Sequence, residues 1–214
     1  MKLTAEEVKD MVMKGIKLPD NLVVEGNLDL NNTPIEILPN NLAVGGYLDL
    51  AYTQIESIPD NMVVNGFLDL ESTPIKSLPN NLVVRGDLYL SHTQIEYLPN
   101  NLVVGGSLDL SHTPIKSLPD NLVVEGFLDL NNTKLESLPD NMVVNGSINL
   151  ESTPIKSLPN NLVVRGNLYL NHTQIGMIPD DLSVKGLIDA RGSNVYCTDC
   201  ISSKIDPKKV ITDQ

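Results

Sequence analysis

Apolar residues recur along this chain every twenty positions, a spacing far longer than the two residues of a strand or the 3.6 of a helix. Counting a unit from Leu18, leucine, isoleucine or methionine fills positions 1, 5 and 11, and valine fills position 7. Leucine fills position 13 in eight of nine units, and Ile35 opens a further apolar column at position 18. The nine units run without insertion from Leu18 to Cys197. Inside a unit, Val24, Gly26, Leu28 and Leu30 alternate with Glu25, Asn27 and Asp29, the period-two pattern of one extended segment. Twenty residues leave no room for the helix of a βαβ crossover, so each unit is predicted to be one coil of a β-rich solenoid whose equivalent strands stack as a parallel sheet.

Besides the valine of position 7, two columns hold one residue type in every unit: proline at position 2, Pro19 through Pro179, and glycine at position 9, Gly26 through Gly186. Proline fixes φ and suits a corner, whereas glycine in an extended run marks a bend, a bulge or a close backbone approach. Asn21 through Asn161 form an unbroken column of eight that predicts an amide ladder, and Thr33 through Thr173, ended by Ser193, place hydroxyls to satisfy a tight turn. Thr4-Ala5-Glu6-Glu7 reads as a capping box, Leu3 and Val8 as a hydrophobic staple and Gly15 as a C′ residue. They predict a helix over 5–14 whose Val8, Met11 and Val12 cover the first coil. The repeat decays at Ala190, Ser193 and Asn194. The expected organisation is a helical cap at 1–17, the solenoid at 18–197, and an irregular cap with a flexible tail at 198–214.

Composition narrows the chemistry. Only eight aromatic residues occur, with no tryptophan, so the core is aliphatic. A formal charge of −12, from 27 acidic and 15 basic side chains, opposes phosphate-backbone and anionic-membrane binding. No apolar run reaches the roughly 20 residues of a membrane span, and the first residues lack the apolar stretch of a cleaved signal peptide. The expectation is a cytoplasmic protein, with export through an uncleaved signal left open. Cys197 and Cys200 are too few for a disulfide framework, and a zinc site needs four ligands where the sequence offers one Cys-x-x-Cys pair. They are read as part of the cap, and no metal or cofactor is expected.

Written L-P-x-N-L-V-V-x-G-x-L-D-L-x-x-T-x-I-x-x, the unit resembles a leucine-rich repeat. The family core L-x-L-x-x-N-x-L matches Leu28-Asp29-Leu30-Asn31-Asn32-Thr33-Pro34-Ile35, with threonine in place of asparagine. The 20-residue length and the opening Leu-Pro are similar to repeats of bacterial effectors and bacteriophage-encoded relatives. The family's first leucine falls on Glu25 and the valine lies one residue earlier, which leaves open whether the cross-section is a horseshoe or nearer a parallel β-helix. Some effectors of this kind carry a ubiquitin-ligase domain after the repeats; residues 198–214 do not imply one. The resemblance implies a binding surface on the outward strand positions.

Position 12 there reads Asp29, Asp49, Asp69, Tyr89, Asp109, Asp129, Asn149, Tyr169, Asp189. Stacked carboxylates about 4.8 Å apart disfavour mutual ionisation, so they are solvated, partly protonated, bridged by cations or matched to a basic partner. The aromatics Tyr47, Tyr52, Phe67, Tyr89, Phe127 and Tyr169 fall on outward columns, as interface anchors do. Arg85, Tyr89 and His92 recur as Arg165, Tyr169 and His172 four coils on. Together with Asp109 and His112 these are the candidate partner contacts. Ser91-His92 and Ser111-His112 set serine beside histidine without an orienting acid, oxyanion hole or pocket, so no catalytic residue is assigned. The expected function is a non-enzymatic, monomeric scaffold for a protein partner bearing basic residues, without direct contact to nucleic acid or membrane. The alternative is an acidic decoy that occupies a nucleic-acid-binding protein.

Overall fold

The computed structural model describes residues 1–80, 82–195, 201 and 205–213. Each repeat forms one coil of a parallel β-solenoid, and each coil carries two short strands where one extended segment is predicted. The first coil holds β1 (Val23–Val24) and β2 (Leu28–Asp29), and the pattern repeats every twenty residues to β17 (Ser183–Val184) and β18 (Ile188–Asp189). The odd-numbered strands from β1 to β17 stack in parallel as a nine-stranded sheet I, and the even-numbered strands form a separate sheet II. The register is one full repeat: Val23 pairs with Ala43, and Leu28 with Leu48. A bend at residues 25–26 separates the two strands. Val24 and Leu28 lie four residues apart, an even number, so both still point inward and the alternation passes through the bend unbroken.

Aliphatic side chains from both sheets and from the returning segment fill the coil. Leu28, Leu30, Leu48, Leu68, Leu88 and Leu108 are fully buried, with Ile55, Ile75 and Ile95 facing them from the return. Stacking supplies a partner above and below each coil, which one coil alone lacks.

The invariant columns acquire their reasons from this stacking. A Cβ added at Gly86 would lie 2.7 Å from the Gly66 carbonyl carbon and 2.8 Å from the Phe67 nitrogen, so the position-9 column is glycine because each backbone rests on the one before it. Gly66 N–H donates to the Gly46 carbonyl at 2.9 Å, and Gly186 N–H to that of Gly166 at 2.9 Å. At position 4, Asn21, Asn41, Asn61, Asn141 and Asn161 adopt left-handed backbone with φ 55–60°, a conformation asparagine tolerates better than most residues. Their amides form rungs of the predicted ladder, Asn41 Nδ2 donating to Asn21 Oδ1 at 3.0 Å and Asn161 to Asn141 at 3.0 Å. The buried threonine hydroxyls close the turn after sheet II; Thr113 Oγ1, for example, donates to the Leu110 carbonyl at 2.6 Å.

Helix α1 (Ala5–Met13) begins at the Thr4 capping box and covers the first coil with Val8 and Val12. Gly15, at φ 68°, supplies the left-handed residue just past its end. Lys2 adds a parallel bridge to Val23, so residues before the helix pair with the first edge of sheet I. At the other end β19 (Val210–Ile211) pairs in parallel with β18. The sequence reading of a free tail is thus corrected over these residues: Val210 and Ile211 supply a further strand to sheet II. Lys209 Nζ donates to the Lys185 carbonyl at 3.1 Å, next to the last strand of sheet I. Cys197 and Cys200 lie outside the described residues.

Candidate partner-binding face

The outward face of sheet II is built from positions 10 and 12 of each coil. Position 12 sits within β2, β4 (Leu48–Asp49), β6 (Leu68–Asp69), β8 (Leu88–Tyr89), β10 (Leu108–Asp109) and β12 (Leu128–Asp129). Its aspartates have a local task that column spacing does not reveal. Asp49 Oδ1 accepts the Ala51 backbone N–H at 3.0 Å, Asp69 that of Glu71 at 2.9 Å, and Asp109 that of Ser111 at 2.8 Å. Each is an Asx turn that helps the chain leave the sheet. Asn149 performs the same task for Glu151 at 3.0 Å, which explains why an amide substitutes there.

Half-buried between neighbours of like charge, Asp69 is pushed up to about 6, with burial the leading cause and the charges of Asp49, Glu71 and Asp109 adding to it; the Glu71 N–H opposes the shift. Burial likewise pushes Asp129 up. The folded state therefore binds more protons than the unfolded chain between the ordinary aspartate value and about 6, and stability falls as pH rises through that window. Asp69→Asn keeps the Asx acceptor and removes the charge. Thermal denaturation is expected to show it more stable than wild type by about 1 kcal/mol at pH 7, after allowing for screening of a half-exposed group, with the gain vanishing near pH 4. Equal gains at both pH values would contradict this account.

Aromatic side chains converge on the same face. Tyr47 and Phe67, both at position 10, stack with ring centroids 4.4 Å apart and planes 6° from parallel. Phe67 meets Tyr89 edge-on at 5.9 Å, and Tyr89 donates through its hydroxyl to Asp87 Oδ2 at 3.0 Å. Register places Tyr89 between Asp69 and Asp109. The result is a half-buried strip of three rings across three consecutive coils, bordered by carboxylates.

The other candidates are distributed differently. Phe127 is half-buried on the same column, with no ring contact among the described residues. Tyr52, His92, His112 and His172 sit at position 15, on the turn beyond sheet II, each in left-handed backbone with φ 57–58°. Tyr52 donates to Glu71 Oε1 at 2.7 Å, and the exposed rings of His92 and His112 stack at 4.5 Å. Ser91 and Ser111 are buried while the adjacent histidines are exposed, so the members of each serine–histidine pair face different surroundings.

Arg85 and Arg165 lie exposed on the bend between the two strands of their coils, three residues before the even strand, whereas His92 and His172 follow that strand. The Arg-Tyr-His sets are thus spread along a coil edge. The two sets also differ in surroundings. Tyr169 accepts from Asn167 Nδ2 at 3.0 Å and, with His172, lines an open polar cleft of about 580 Å³ shared with Glu151, Asp189, Arg191 and Asp213. Arg191 Nε donates to Asp189 Oδ1 at 2.9 Å and holds that carboxyl below the usual range.

Among the described residues no cluster of histidine, cysteine, aspartate and glutamate is arranged to hold a metal ion, and no helix is long and apolar enough to cross a membrane. No protein-family model matches the chain, and a search of curated proteins returns no match.

Proposed function

We propose that this solenoid is a non-enzymatic recognition scaffold, related to leucine-rich-repeat proteins, that binds a protein partner through the outward face of sheet II. A regular repeat scaffold fits protein binding in general. The observation that carries the finer reading is the Tyr47–Phe67–Tyr89 strip, which concentrates three of only eight aromatic residues on one exposed sheet face. Flat rings beside half-buried carboxylates suit a lysine or arginine, which gains a cation–π contact and an ion pair together. The acidic-decoy reading draws less support, because the aspartates are engaged in Asx turns and their column is interrupted by Tyr89, Asn149 and Tyr169.

Capture from a host lysate tests this reading. Wild type is expected to retain a protein that the Phe67→Ala, Tyr89→Ala double variant loses, with affinity falling at least about thirtyfold. Because Asp69 must be ionised to meet a cation, affinity is expected to weaken as pH drops below about 6 in wild type and to lose that dependence in Asp69→Asn. A nucleic-acid-binding protein retained by the double variant, released by salt and displaced by DNA would overturn it in favour of the decoy.

A further inference from the structure

The outward face of sheet I carries a feature that the repeat pattern conceals. Position 6 points away from the core, and in the five central coils it is a valine left 43–47% exposed, from Val63 to Val143. Five β-branched side chains at a spacing of about 4.8 Å make a continuous apolar ridge on a parallel sheet. On one side the ridge is bordered by the neutral asparagine column of position 4. On the other lies position 8, which reads Glu25, Gly45, Asn65, Arg85, Gly105, Glu125, Asn145, Arg165, Lys185.

That flanking sequence is complementary to its own reverse. When two copies face each other across a two-fold axis parallel to the strands and centred on the fifth coil, position 8 lies over position 8 and the coil order runs backwards. Arg85 then faces Glu125, Asn65 faces Asn145, Gly105 faces itself and Glu25 faces Lys185, each unlike pair occurring twice. Arg165 faces Gly45, so no like charges meet. The exposed valines are centred on the same axis, with Val103 opposite itself. The other face-to-face two-fold, along the solenoid axis, sets position 8 over the asparagine column and offers no charge pairing.

We propose that sheet I is a self-association surface, and that two copies of this chain pack back to back and antiparallel through the valine ridge. This goes beyond the partner-binding reading and departs from the monomer expected from sequence; it leaves the sheet II face of each copy open. Nine coils at about 4.8 Å and four residue steps at about 3.3 Å give a face of roughly 43 by 13 Å, so pairing buries about 1,100 Å² in total, at the small end of specific interfaces. The dimer is therefore concentration-dependent. Glu25 also holds the cation Lys2 in its own chain, whereas Glu125 accepts from the neutral Asn145 amide at 2.6 Å and, among the described residues, pairs with no cation, so Arg85–Glu125 is the discriminating contact.

Sedimentation velocity over a concentration series up to the millimolar range tests the proposal. Wild type is expected to approach twice the 23.4 kDa chain mass. Val103→Glu, which sets two carboxylates against each other at the axis, should remain monomeric with an unchanged melting temperature. Arg85→Glu alone and Glu125→Arg alone should each raise the dissociation constant at least about tenfold, and the double exchange should restore it, because each copy then presents the reversed pair. A wild type that stays monomeric throughout, a dimer indifferent to Val103→Glu, or a double exchange that fails to restore association would overturn it.

Discussion

Gly86→Ala is expected to destabilise the protein by about 3 kcal/mol or more, while Gly26→Ala leaves its stability within about 0.5 kcal/mol of wild type. The two glycines hold the same place in their repeats and differ in what precedes them. Behind Gly86 lies the backbone of the previous coil, with Gly66 C, Phe67 N and Gly66 O all within 3.0 Å of an added Cβ, and a backbone hydrogen bond of 3.1 Å ties the two coils there. Those atoms belong to a neighbouring strand and cannot swing aside as a side chain can, so the coils must separate locally. Gly26 begins the stack, and a Cβ there meets nothing within 4 Å. Chemical denaturation of both variants reads the difference; equal losses would mean that the glycine column serves chain conformation instead of coil contact.

Leu108→Ala is expected to cost about 3 kcal/mol or more, whereas Val103→Ala, measured in dilute solution, costs no more than about 0.5 kcal/mol. Leu108 lies in the middle coil, fully buried, with Leu88 and Leu128 as its register partners, so truncation leaves a cavity that neighbouring coils cannot collapse into without breaking register. Val103 lies five residues earlier in the same coil and is 43% exposed on the outward side of sheet I. In a solenoid each coil is held only by its neighbours, so a defect in the middle is also expected to reduce cooperativity, seen as a shallower denaturant slope. A large loss at Val103 would place that column in the core and contradict the two-sheet coil.

What the sequence makes legible is whatever repeats. The period of twenty sets the strand register, and the α1 capping box is visible in Thr4 and Glu7 because that motif is local. Three features escape such reading for separate physical reasons. The bend after Val24 hides because an even spacing to Leu28 preserves inward parity, so two strands mimic one. The aspartate column reads as a row of charges, yet Asp49, Asp69 and Asp109 are held by the backbone N–H two residues on, a bond that depends on the turn and leaves no mark in the spacing. The strand at Val210–Ile211 escapes because those residues stand in a polar segment outside the repeat.

The candidate site is only partly written in the period. Tyr47 and Phe67 are one repeat apart, so their stacking follows from register, as does that of His92 and His112. Tyr89 joins the strip from position 12, a diagonal contact that requires both columns to be placed on one face. The duplicated Arg-Tyr-His sets are identical in sequence and unequal in structure, because only Tyr89 has an aromatic neighbour in the preceding coil, whereas Tyr169 stands near the end of the stack beside Asp189 and Arg191. A shared triplet is therefore not a shared site.

The most direct test of the recognition claim is hydroxyl-radical footprinting of the wild-type chain with and without its captured partner, reading each aromatic side chain by mass spectrometry. Tyr97, 60% exposed and placed on the return segment of its coil, serves as the internal reference. Protection of Tyr47, Phe67 and Tyr89 with no change at Tyr97 is the predicted result. Protection of Tyr97 while the strip stays as reactive as in the free protein would place the partner elsewhere and contradict the assignment of sheet II as the recognition face.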